Sequence, residues 1–222
     1  RRRRIAGGSG RWRLGCGDGR ARRNAAEHAC RSAREGDRGI ALYEPPRSAE
    51  ADRETALLAR LREAVQRDGF GLVYQPIVAV QGGQAAQYQT LLRLRDATGR
   101  VHLAGALLPL AERSKLIVEI DRWVLTRALS VLQQQRESGR SLRLFVPQST
   151  TTLAASDQVG WLKAELAAHE VPGNSLVLET RLEDALLYQP VLQSFARALV
   201  DEGVQLCLGQ FENTPEANAV LE

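Results

Sequence analysis

Methionine is absent from all 222 residues, and lysine is nearly so: Lys115 and Lys163 are the only basic residues among 30 that are not arginine. Without an initiator, and ending in a helix-like stretch at Glu222, the chain is expected to be a piece of a longer protein. Arginine in place of lysine, beside abundant alanine, reads as a GC-rich coding bias rather than a function. Long apolar runs are missing too. The most apolar stretch, residues 103–111, is about half of the roughly 18 residues that a membrane span needs, and Gly105 and Pro109 interrupt it. A helical span and a secretory signal are therefore not expected. Cys16, Cys30 and Cys207 are too few and too scattered for a disulfide framework and suit a reducing cytoplasm. His28 lies near Cys30, but no CxxC and no second histidine pair completes a zinc set.

The charge that is present is unevenly placed. Residues 1–38 hold 12 arginines against 4 acids, whereas residues 39–222 hold 18 basic against 22 acidic residues, so the net +4 belongs to the N-terminal arm. Trp12 is the only aromatic residue in the arm, and no RNA-binding module is recognisable, so a nucleic-acid polymer is not an expected partner. Residues 1–23 mix arginine with glycine without apolar periodicity and are expected to be a disordered basic arm.

Residues 25–36 read as a short helix ended by glycine, followed by a strand-like Ile40-Ala41-Leu42-Tyr43 and a linker around Pro45-Pro46. Leu57, Leu58, Leu61 and Val65 then recur at helical spacing through about residues 51–67. Beyond them the pattern alternates. Strands are expected at residues 71–80 and 86–94, joined as a hairpin through Gln81-Gly82-Gly83-Gln84, with further strands at 142–146, 176–179 and 204–211. Helices are expected at residues 104–114, 120–137 and 156–169, with another ending at Glu202-Gly203. Strand and helix in alternation, with apolar strands, imply an α/β fold: a parallel sheet or barrel of which five strands are present.

Four segments occur in order: Tyr74-Gln75-Pro76-Ile77-Val78, Tyr88-Gln89-Thr90-Leu91-Leu92-Arg93, Leu110-Ala111-Glu112 and Ile120-Asp121-Arg122-Trp123-Val124-Leu125. Together they resemble the EAL domain family of cyclic di-GMP phosphodiesterases, from about Leu57 onward. The resemblance implies a (β/α)8 TIM-like barrel of EAL type, here truncated after about the fifth strand, with its first strand antiparallel and its ligand across the C-terminal strand ends. It divides the chain into a basic arm (1–23), a remnant of a GGDEF-like domain end (24–44), a linker (45–50) and the N-terminal part of an EAL domain (51–222).

Active members of that family use two divalent metals held mostly by carboxylates. On this pattern the glutamate opening the signature triplet is Gln89. The asparagine of the Val-Asn-Leu-Ser segment is Pro147, and the paired aspartates of the Asp-Asp-Phe-Gly segment are Gly209 and Gln210; Glu179 alone is retained. The resemblance therefore implies a degenerate, non-catalytic domain that binds no catalytic cofactor. It also implies that Gln75, Leu91, Arg93 and Asp121 contact the ligand. Arg93 would offer a guanidinium to a phosphate without any metal, and Asp121 would accept from a guanine edge.

Other readings of these residues stand beside those. Arg93 could pair with an acid on the barrel rim, and Asp121 could be a helix-start carboxylate favoured by the helix dipole. Trp123 reads as core rather than a stacking platform, and Gln75 beside Pro76 could be structural. The expected function is that of a cyclic di-GMP receptor resembling FimX-like regulators of type IV pili. A PilZ-type protein is the partner so implied, with a dimer as an option for the longer parent. The alternatives are an active phosphodiesterase and a scaffold independent of ligand.

Overall fold

A computed structural model describes residues 49–78 and 86–221. The expected basic arm, GGDEF-like remnant, all but the end of the linker and the β-hairpin connection lie outside the described residues. The first described element, α1 (Ala49–Gln66), carries Glu50 and Asp52 in its first turn, where the helix dipole favours acids. Its Leu61 and Ala64 are buried. The helix ends as the backbone turns left-handed at Asp68 (φ 54°), and Gly69 follows because a Cβ there would press on Ala64. Asp68 is then held by the next layer: Trp123 Nε1 donates to its Oδ1 at 2.6 Å and Arg127 Nη2 to its Oδ2 at 2.9 Å.

Strands β1 (Phe70–Ile77) and β2 (Ala86–Arg95) pair antiparallel, with Gln75 opposite Gln89 and Tyr74 opposite Thr90. A short β3 (Val101–Leu103) folds back on the end of β2, and β4 (Leu142–Pro147) joins the beginning of β2 in parallel. Strands β5 (Leu176–Arg181) and β6 (Gln205–Gly209) continue the parallel set, giving the order β1-β2-β4-β5-β6 in a six-stranded sheet. The antiparallel first strand and the five principal strands are as expected. Strand β3 was not anticipated, because three residues carry too little pattern to stand out from a turn. That turn is organised by Asp96, whose Oδ1 accepts from the Thr98 and Arg100 amides and from the Thr98 hydroxyl.

Helices α2 (Ala104–Arg113) and α3 (Ile117–Glu137) follow β3 directly. Helix α3 buries Ile117, Ile120, Val124, Ala128 and Leu132, a three-to-four-residue stripe that faces the sheet, and it starts three residues earlier than the sequence pattern indicated. After β4 come a short α4 (Thr150–Leu153), capped by Ser149, and α5 (Gln158–Ala168). Helices α6 (Leu182–Leu187) and α7 (Gln189–Leu199) lie between β5 and β6, and α8 (Pro215–Leu221) follows β6.

The main core fills the space between one sheet face and these helices. Leu92, Leu94, Leu144, Val146, Leu176 and Leu178 come from the strands and meet Leu107, Leu125, Leu162 and Phe195 from the helices. Alternation along β2 puts Thr90, Leu92 and Leu94 on this buried face and Gln89, Leu91 and Arg93 on the other, half-buried face. At the opposite end of the strands, Pro172-Gly173-Asn174 leads into β5. A Cβ on Gly173 would overlap the carbonyl oxygen of Glu202, so glycine is required there.

Candidate functional site

The C-terminal ends of β2, β4 and β5, with α2 and α3, enclose a cleft of about 350 Å³. Its walls are largely apolar, from Leu91, Leu92, Leu108, Pro109, Ile117 and Val124. Into it come Asp121 from α3, Pro147 from the end of β4, Glu179 from β5 and Gln210 after β6. The fold thus gathers residues that lie far apart in sequence.

Of the expected ligand contacts, Leu91 and Asp121 line this cleft, while Gln75 and Arg93 do not. Gln75 is exposed on β1, directly opposite Gln89. Arg93 Nη1 donates to the carbonyl of Leu92 at 2.8 Å, and Arg93 makes no ion pair among the described residues. The rim-acid pairing open to it on sequence grounds is not formed there. Trp123 is half-buried beside the core, with its ring centroid 5.2 Å from that of Phe70.

The positions compared with the family's metal ligands form one arrangement. Gln89 Nε2 donates to Glu179 Oε2 at 2.7 Å. The bond reaches across β4, since Gln89 is in register with Phe145 while Glu179 is in register with Pro147. The other carboxylate oxygen, Oε1, lies over Gly209, where any Cβ would overlap it. Glu179 therefore occupies the space that a side chain at 209 would fill. Gln210, next in the chain, adopts a left-handed backbone (φ 55°) uncommon outside glycine. Cys207 faces Glu179 from β6; burial first, and the carboxylate second, push its thiol pKa up, so it stays protonated. No three His, Cys, Asp or Glu side chains converge among the described residues.

Asp121 is 4% exposed, and its Oδ2 accepts from the Ser149 amide at 2.9 Å and the Thr152 hydroxyl at 2.6 Å. Desolvation outweighs both hydrogen bonds, and with repulsion from Glu112 it pushes the carboxyl pKa up to about 7. Asp121 sits in the second turn of α3, so it is not a helix-start carboxylate. Its hydrogen bonds tie α3 to the segment after β4.

Three buried polar atoms, on residues that border the cleft, were not singled out from sequence. Thr90 is 1%, Thr180 4% and Gln148 6% exposed, and Thr90 Oγ1, Thr180 Oγ1 and Gln148 Oε1 have no hydrogen-bond partner among the described residues. The Gln148 Nε2 group is engaged, donating to the Pro147 carbonyl at 2.9 Å. The available signal was strand parity, which puts Thr90 on the buried face among leucines. No local pattern marks Gln148, whose place depends on the turn after β4.

Comparison with known proteins adds an independent line. The EAL domain family model matches residues 58–217. The bifunctional diguanylate cyclase/cyclic di-GMP phosphodiesterase MucR of Pseudomonas aeruginosa is 29% identical over 175 residues, covering 77% of this chain and 26% of MucR. The FimX EAL domain of Xanthomonas citri in complex with cyclic di-GMP superposes with a TM-score of 0.71 at 30% identity, covering 78% of this chain and 67% of that one. The FimX EAL domain of P. aeruginosa bound to cyclic di-GMP gives 0.69 at 27% identity, covering 74% and 66%. The chain spans about a quarter of the length of the curated relatives it matches.

Proposed function

The chain belongs to the EAL domain family, and from that premise we propose that it is a cyclic di-GMP receptor module that does not cut its ligand. The observation carrying this reading is the Gln89–Glu179 hydrogen bond with Gly209 beneath it. A neutral amide occupies one oxygen of Glu179, the one acid among the positions compared with the family's metal ligands, and that acid fills the place of a side chain at 209. Pro147 has no side-chain ligand, and Gln210 brings no charge. One carboxylate cannot offset the desolvation of two dications, so these residues do not fit the metal pair of the hydrolytic mechanism.

Binding has different requirements. The cleft gives a ligand apolar walls and a carboxylate at Asp121. Arg93 lies on the same strand as Leu91, and among the described residues its guanidinium is tied only to a backbone carbonyl. A phosphate could replace that carbonyl with two parallel charged hydrogen bonds. The FimX EAL domains bound to cyclic di-GMP support this ligand.

The active-phosphodiesterase alternative rests on MucR. It is separated by incubating the full-length protein with cyclic di-GMP and magnesium or manganese: linear dinucleotide would establish hydrolysis and overturn the receptor reading. Calorimetry with wild type and Arg93→Ala tests the binding half; no heat from wild type, or equal affinity in the variant, counts against it. A PilZ-type protein is the proposed outlet of the signal, and pull-down with and without cyclic di-GMP tests it. Partner capture indifferent to the nucleotide favours the scaffold alternative.

A further inference from the structure

A guanidinium is a planar fork of N–H donors, and pairing with a carboxylate through a single nitrogen leaves most of the fork available to another anion. Arg181 is in that condition. It ends β5 beside the cleft and is the one cationic residue in the lining among the described residues. Its Nε donates to Asp184 Oδ2 at 2.9 Å, while its Nη1 and Nη2 groups have no partner among the described residues. The side chain of Arg181 is 58% exposed and that of Asp184 26%, so a ligand can reach the pair.

Strand parity and register place Arg181 relative to Arg93. Along β5, Leu176, Leu178 and Thr180 share the core face, so Glu179 and Arg181 share the other face with Gln89, Leu91 and Arg93 of β2. Pro147 is in register with Glu179, and the β2–β4 register, extended by two residues, sets Leu91 beside Pro147. Arg93 and Arg181 therefore each stand two residues further along this face, in one row, with β4 ending between them. Neighbouring strands lie about 4.8 Å apart, so the two backbones are roughly 10 Å apart in that row, and two long side chains can close on one molecule.

We infer that Arg181 is a second phosphate-binding residue, closing with Arg93 on the two phosphates of one cyclic dinucleotide, and that Asp184 competes with the ligand for it. This rests on the cyclic di-GMP reading and adds a residue to its phosphate contacts. Two guanidiniums in one row repel each other until a doubly charged anion arrives. Before binding, Asp184 first, and then Glu183 and Glu112, offset the charge at Arg181. The phosphate exchanges for the Asp184 carboxylate and takes two parallel bonds from the fork where the carboxylate has one. An exposed pair is weak, so the exchange is cheap, yet it lowers the affinity of every binding event.

The test is calorimetry with cyclic di-GMP on the full-length protein and on Arg181→Ala, Asp184→Asn and their combination. Arg181→Ala is expected to weaken binding roughly 5- to 30-fold. Asp184→Asn is expected to tighten it about 2- to 5-fold, because it frees the guanidinium in advance. In the combined variant that gain should largely vanish, since no cation remains to be released. Melting without ligand supplies the structural control. All three variants should melt close to wild type, because an exposed pair contributes little to stability.

Undiminished affinity in Arg181→Ala, or a loss of affinity that comes with a markedly lowered melting temperature, overturns the second phosphate contact and leaves the receptor reading standing. No gain from Asp184→Asn, or an equal gain with and without Arg181, overturns the competition; the equal gain would mean that Asp184 acts on the ligand through its charge alone. Wild type that binds no cyclic di-GMP overturns both this inference and the receptor reading.

Discussion

Asp121 makes stability depend on pH in a direction opposite to that of most native carboxylates. Its ordinary value of 3.8 is pushed up to about 7, chiefly by burial, because the two hydrogen bonds to Oδ2 do not replace the water lost. Between these values the folded protein keeps a proton that the unfolded chain has released. The folded state therefore binds more protons, and stability falls as pH rises through the window. The contribution is fully present below about pH 4 and lost above about pH 7. A displacement of about three pH units corresponds to at most about 4 kcal/mol. Urea unfolding of wild type and Asp121→Asn at pH 5, 6, 7 and 8 isolates the effect, since other titrating groups, including Glu112 across the cleft, are common to both. Asparagine can still accept from Ser149 and Thr152 but has no charge to bury. The two proteins should be similar in stability near pH 5, and the variant should be the more stable at pH 8. Parallel curves across the range would refute the assignment of a buried, readily protonated carboxyl.

Further outcomes follow from the same geometry. Gly209→Ala forces the Glu179 carboxylate aside and breaks its bond to Gln89, so Gly209→Ala and Gln89→Ala should be non-additive in a double-mutant cycle, the pair costing less than the two singles together. Gly173→Ala meets the backbone carbonyl of Glu202, which cannot swing away; it should destabilise by about 2 kcal/mol or more in chemical denaturation, at the end of the strands remote from the cleft. Arg93→Ala should weaken cyclic di-GMP binding by roughly 10- to 100-fold in calorimetry while leaving the melting temperature of the apo protein nearly unchanged, since among the described residues its guanidinium has one hydrogen bond, to the Leu92 carbonyl, and no ion pair.

The fold was legible where periodicity was long. Ile120, Trp123, Val124 and Val131, read as one side of a helix, announced α3, and the apolar strands with helices between them announced the parallel set. What escaped was short or built from backbone: β3 depends on the Asp96 turn, and α4 on a cap at Ser149. The site divided in a similar way. Leu91, Asp121, Pro147, Glu179 and Gln210 were named from sequence and meet in one cleft. Two further readings needed coordinates: that Gln89 bonds Glu179 across an intervening strand, and that Gly209 leaves room for its carboxylate. Gln148 was invisible for a related reason: burial without a partner is a property of the assembled cleft, not of residue type.

The most direct test of a receptor that holds its ligand without metal is calorimetric titration of cyclic di-GMP into the full-length protein, in excess EDTA and again in magnesium. The account predicts binding of equal affinity in both, since Arg93, Asp121 and the cleft walls need no dication. Binding seen only with magnesium, or none in either buffer, would contradict it.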